Sequence, residues 1–135
     1  MPITPNQDQF AELASAASAD DGPVVMLNLL KFKDVATDGG SGAAAYNRYG
    51  GSVTQMVEAR GGQVLWSGRV DQVLIGEEVT NGWDAIALVQ YPSRQAFLDM
   101  VTDDTYLKSH EHREGGLADT VLLACTARPT GGPAT

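Results

Sequence analysis

The residues best suited to chemistry lie between Tyr106 and Arg113. Tyr106, His110 and Arg113 stand at i, i+4 and i+7, with Leu117 at i+11, so on a helix they share one stripe. A phenol, an imidazole and a guanidinium side by side offer a proton-transfer group flanked by hydrogen-bond donors. That set suits an anionic or oxygenated ligand. The same stripe also reads as an amphipathic boundary, with Tyr106 half-buried and His110 and Arg113 paired to Glu114 or to a carboxylate of a second chain. His110 and His112 do not make a metal site, because residues two apart on a helix point about 200° away from each other. With two His in the chain and no carboxylate motif to complete a ligand set, neither a metal nor a cofactor is expected.

Other residues extend the candidate site. Asn28 interrupts an apolar run in phase with Met26, Leu30 and Phe32. A buried amide costs about 1–3 kcal/mol unless it is bonded. It is therefore either satisfied by neighbouring backbone or placed to orient a substrate oxygen. Tyr49 falls on the apolar side of a helical segment. Trp66 and Trp83 sit on two strands, with Ala85 and Ala87 leaving room beside Trp83, which makes either a packed core or a ligand cavity. Arg94 follows the capping residue Ser93, where a helix N-terminus can help hold an anion; a surface ion pair explains it equally well. Cys125 reads as a small buried hydrophobe. Phosphate-loop, dinucleotide and nucleophile-elbow motifs (GxxxxGK[ST], GxGxxG and GxSxG) do not occur.

These residues must be carried by a definite set of elements. Thr4-Pro5-Asn6-Gln7 reads as a helix start with Thr4 as cap, and the helix runs to Asp20-Asp21-Gly22-Pro23. Val24 to Phe32 is a near-continuous apolar strand, of the kind found at the centre of a sheet. Asp38 to Gly42 connects it to a helix bearing Tyr46, Tyr49, Val53, Met56 and Val57, with Gly50-Gly51 inside it as a kink or a point of close approach. Gln63 to Ile75 is the second strand, with a bulge expected at Gly68. Asn81-Gly82 signals a hairpin turn, and Trp83 to Tyr91 alternates as the third strand. Ser93 caps a short helix, a second helical piece runs through Glu114, and Asp119 to Ala127 is the last strand.

The order predicts an α+β fold: a βαββαβ four-stranded antiparallel sheet with an N-terminal helix in front. Residues 1–22 form that extension, 23–127 the domain, and 128–135 a flexible tail. With its helices on one side, such a sheet leaves a face to be covered, and a second copy of the chain is the simplest cover. A homodimer is therefore expected.

Bulk properties narrow the partners. The chain has 135 residues, 43% of them hydrophobic, enough for one core. Nine Lys and Arg against seventeen Asp and Glu give a net charge of −8. Such a surface repels phosphate backbones and anionic lipid, so nucleic acid and membranes are not expected partners. The start has no signal-peptide pattern, the apolar runs are too short to span a bilayer, and one cysteine fits a reducing compartment. A cytoplasmic protein is expected.

Several motifs, in order, resemble a known family. They are Pro23-Val24-Val25-Met26-Leu27-Asn28-Leu29-Leu30-Lys31-Phe32, the Tyr46 to Tyr49 helix start, and Gly61-Gly62 leading to Trp66-Ser67-Gly68. Trp83-Asp84, Tyr91-Pro92-Ser93-Arg94 with Phe97, and Tyr106 to Arg113 complete the set. Together they resemble the domain-of-unknown-function 1330 family of the dimeric α/β-barrel, ferredoxin-like superfamily. The resemblance implies a protomer whose sheet packs on its mate to close a barrel, and it supplies no reaction. Some haem-degrading members of that superfamily use an Asn, a Trp and a His, to which Asn28, Trp66 and His110 compare by type and element. Two functions follow as expectations. One is a small-molecule-binding enzyme of cofactor-independent monooxygenase-like or isomerase-like type, with His110, Arg113 and Tyr106 as catalytic groups and Asn28, Tyr49, Trp66 and Arg94 holding substrate. The other is a non-catalytic dimer that binds a metabolite or serves a structural role.

Overall fold

The computed structural model describes residues 5–19, 21–37, 39–76 and 82–127. The expected cap at Thr4, most of the 77–82 turn and the 128–135 tail lie outside them. The elements are α1 (Gln7–Ala19), β1 (Val24–Phe32), α2 (Gly42–Ala59), β2 (Gln63–Arg69), β3 (Ala85–Tyr91), α3 (Arg94–Val101), α4 (Asp104–Gly116) and β4 (Leu117–Cys125).

The four strands form one antiparallel sheet in the order β2-β3-β1-β4. This is the ferredoxin-like α+β arrangement expected from the element order. β1 is flanked on both sides, which accounts for its nearly unbroken apolar sequence. Its alternate residues serve different faces. Val24, Met26 and Leu30 are buried toward the helices with Tyr49, Val53, Val57, Phe97 and Met100. Val25, Leu27 and Leu29 point to the opposite face.

Local chemistry explains where the elements begin. α1 is capped by Asn6 and Gln9, whose side chains accept from each other's backbone N–H at 2.8 and 2.9 Å. The reciprocal box thus lies two residues beyond the one expected at Thr4 and Gln7. Ser41, Ser93 and Asp103 cap α2, α3 and α4. The Gly42 N–H donates to the Lys33 carbonyl, and the Lys33 N–H donates to that of Gly116. A Cβ on Gly42 would meet those same carbonyls, the Gly116 oxygen at 2.6 Å. Glycine at 42 therefore lets the start of α2 sit against the end of α4.

Four strand expectations need correction. β2 stops at Arg69 rather than Ile75, because its partner β3 begins at Ala85 and offers no further ladder. β3 begins after Asp84 rather than at Trp83: the Asp84 carboxylate accepts the Phe32 N–H at 2.8 Å, a side-chain bond at the strand's end. The register shift in β2 lies between Val64 and Trp66, not at Gly68. Gly68 instead makes room for the Trp66 indole, which would stand 2.4 Å from a Cβ there. α4 runs on to Gly116, and β4 spans Leu117–Cys125 rather than residues 119–127. Among the described residues no helix is long and apolar enough to cross a membrane.

Candidate functional site

Between the sheet and the helices lies a cavity of about 950 Å³. Its floor is the inner face of β1 and β3, where Met26, Asn28, Ala85 and Ala87 stand. Its roof is the facing stripes of α2 and α4. Small residues stand on both sides of it: Ala85 and Ala87 below, Gly50 and Gly51 above. A Cβ built on either glycine meets nothing within 4 Å. Both glycines sit within the continuous helix α2.

The α4 stripe faces this cavity. Tyr106 and Arg113 are buried, and His110 is half-buried with its ring centroid 5.7 Å from that of Tyr106. The Tyr106 and Tyr49 hydroxyls lie 2.9 Å apart and their rings meet edge to face. The Tyr46 ring meets that of Tyr49 at 5.3 Å and that of Phe32 at 5.5 Å, both tilted, extending an aromatic wall from β1 to α4. Burial pushes the Tyr46 phenol up to about 12 against the lowering pull of Arg113, and pushes Tyr49 well above 10. Both are neutral phenols at physiological pH.

His110 is held by Glu114 one turn on, Nε2 to Oε1 at 2.8 Å. Its pKa is lowered from 6.5, chiefly by burial and further by Arg113, while Glu114 pulls it upward. The neutral ring donates from Nε2 to the carboxylate, an assignment made from that bond. Nδ1 then carries the lone pair, and it is buried without a hydrogen-bond partner among the described residues.

Asn28 is satisfied on its donor side: Nδ2 donates to the Met26 carbonyl at 3.3 Å and to the Ala87 carbonyl at 3.2 Å. Two carbonyl acceptors fix which end is nitrogen, so Oδ1 is left as an acceptor on the cavity floor.

Five of the seven residues singled out from the sequence thus line one cavity: Asn28, Tyr49, Tyr106, His110 and Arg113. Trp66 does not. Beyond the register shift it pairs with Leu88 on the opposite face of the sheet and is 54% exposed. Arg94 does not either. The anion position at the start of α3 is filled by the chain's own Asp21, whose carboxylate accepts from the Arg94 and Gln95 backbone N–H at 2.7 and 3.1 Å. The Arg94 guanidinium reaches Thr126 at 3.3 Å. The comparison of Asn28, Trp66 and His110 therefore loses its Trp. Cys125 is half-buried on the outer face rather than in the core. Sequence reasoning passed over Tyr46 as a site residue, although its i, i+3 spacing to Tyr49 places both on one stripe. It also passed over Ser52 and Ser109, whose hydroxyls join α2 to α4 at 2.7 Å.

The pattern of DUF1330, a domain of unknown function, matches residues 41–126. Two solved structures of RPA0582, a protein of unknown function from Rhodopseudomonas palustris, are similar over nearly the whole chain. One is 32% identical with a TM-score of 0.83, covering 94% of this chain and 98% of that one. The methylated form is 31% identical with a TM-score of 0.87, covering 97% and 98%. A dabb family protein with a ferredoxin-like fold from Mesorhizobium loti is 9% identical with a TM-score of 0.51, covering 80% and 99%, a likeness of fold alone. No curated protein matches the chain.

Proposed function

This chain belongs to the DUF1330 family, and from that premise we propose that it binds a small molecule between sheet and helices and moves a proton on it at His110. The observation that carries the reading is the state of His110. Glu114 occupies Nε2, burial favours the neutral ring, and Nδ1 keeps a buried lone pair with no hydrogen-bond partner among the described residues. A neutral imidazole oriented by a carboxylate is the arrangement a general base requires. Beside it, the phenols of Tyr49 and Tyr106 and the guanidinium of Arg113 supply hydrogen bonds and positive charge for an oxygen that gains electron density. Isomerase-like proton transfer fits this set.

A thermal-shift screen over a broad metabolite collection tests binding. A ligand at a hundred times its Kd adds about 2.7 kcal/mol of stability. In Ala87→Leu, which fills the floor, the shift should vanish; a shift that survives places binding elsewhere. Once a ligand is found, His110→Gln separates the two functional readings. Retained binding with lost turnover supports proton transfer, and a ligand that no form of the protein alters makes this chain a carrier.

The outer face of the sheet supports a second proposal, that the protein is a homodimer closed through that face. Leu27, Leu29, Ile86 and Leu88 run across it beside Val121, 36% exposed, and Leu123, 47% exposed. With Trp66 they form a continuous apolar surface, and a second copy presents the same surface in return.

A further inference from the structure

We propose that the cavity takes a neutral molecule with a flat apolar body and a carbonyl oxygen, with the phenol hydroxyls of Tyr46 and Tyr91 as the donors to that oxygen. The proposal rests on the ligand-binding reading above and names the class of molecule that the site takes.

The first argument is where the phenols stand. The chain has four tyrosines, Tyr46, Tyr49, Tyr91 and Tyr106, and all four line this one cavity. They come from three elements, α2, β3 and α4. Tyr49, Tyr91 and Tyr106 share one buried cluster, and Tyr46 packs against it. Tyr91 is close enough to Tyr106 and Tyr46 for both to act on its phenol, so the hydroxyls converge from floor and roof.

The second argument is a count of protons. Tyr49 and Tyr106 hold two hydroxyl protons between them, and their contact at 2.9 Å uses one. The Tyr46 and Tyr91 hydroxyls, unlike these, make no hydrogen bond to a described residue. Each therefore has a proton to give. A phenol donates better than it accepts, because its oxygen shares a lone pair with the ring. A carbonyl oxygen, with two lone pairs and no proton of its own, is the matching group.

The third argument is polarity. Burial is the largest influence on the Tyr46, Tyr49 and Tyr91 phenols and pushes each of them up, so this part of the cavity disfavours charge. Arg113 does not by itself make the wall a site for an anion. It already interacts within the chain, and at His110 the pull of Glu114 outweighs its effect. Phe10, Phe32, Phe97 and Met26 add apolar surface to the wall. A neutral, flat molecule loses little water on entering, and a hydrogen bond to its carbonyl is stronger there than in solvent.

The test uses three probes of one outline: acetylnaphthalene, isopropylnaphthalene, which lacks the oxygen, and naphthoate, which carries a charge. Equilibrium dialysis against the full chain near neutral pH gives their affinities. Acetylnaphthalene should bind about tenfold more tightly than isopropylnaphthalene, the span of two neutral hydrogen bonds. Naphthoate should bind more weakly than acetylnaphthalene. Tyr46→Phe and Tyr91→Phe each remove one hydroxyl, keep the ring and strand no protein partner. In the double variant the preference for acetylnaphthalene should fall away while isopropylnaphthalene is still bound, and the single variants show the share of each phenol. Equal binding of acetylnaphthalene and isopropylnaphthalene overturns the carbonyl class and leaves the cavity as an apolar binding site. Tighter binding of naphthoate overturns the neutral class. A preference for acetylnaphthalene that persists in the double variant overturns the assignment to Tyr46 and Tyr91. Binding of none of the three overturns the ligand-binding reading itself.

Discussion

The Tyr49 and Tyr106 hydroxyls meet at 2.9 Å, joining the middle of α2 to the first turns of α4 across the roof of the cavity. Fifty-seven residues separate them, and the bond is buried. It fixes the roof and also leaves a phenol proton for a ligand, so stability and recognition share these atoms.

Replacing either tyrosine by phenylalanine removes the bond and leaves the other hydroxyl without its partner, at a cost of about 1–2 kcal/mol. The double variant, with neither hydroxyl, should cost less than the sum of the two single changes. Urea denaturation of the four proteins checks this, and strictly additive losses would show that the two groups do not interact.

His110 predicts a pH dependence of stability. Its folded pKa lies below the usual 6.5, first through burial, so between those two values the unfolded chain binds more protons than the folded one. Its contribution is present above 6.5 and is lost as pH falls through the folded value. The His110→Gln variant should show a shallower loss of stability below pH 6.5 than the parent. Identical pH profiles of the thermal midpoint would contradict this.

Two glycines in α2 should respond in opposite directions. Gly51 has open space at its Cβ, so Gly51→Ala should stabilise the helix by about 1 kcal/mol. Gly42 has backbone carbonyls there, so Gly42→Ala must push α2 away from β1 and α4 and should destabilise by more than about 1 kcal/mol. Midpoints of chemical unfolding decide both signs.

The proposed dimer has a direct measurement. Light scattering should give twice the chain mass of 14.3 kDa, and Leu123→Lys, which places a charge on the outer face, should give the monomer. A parent protein that remains monomeric at micromolar concentration ends the proposal.

Much of the site was legible because its residues are local to single elements. Helical spacing alone puts Tyr106, His110 and Arg113 on one stripe, and strand alternation alone puts Asn28 in phase with Met26 and Leu30. Trp66 was misplaced because facing depends on register: one extra residue between Val64 and Trp66 reverses which side of the sheet every later side chain takes. Arg94 was misjudged because Asp21, 73 residues away, fills the helix end by tertiary contact.

The amino-acid sequence by itself determined the order of elements, the central strand and the chemical character of the α4 stripe, since periodicity, caps and apolar runs act over a few residues. The tertiary structure alone decided that α2 and α4 face each other, that small residues at 50, 51, 85 and 87 line one cavity, and that Glu114 claims one nitrogen of His110 while the other has no partner among the described residues. Cavities and hydrogen-bond partners depend on packing between distant segments, and local periodicity carries no record of that packing.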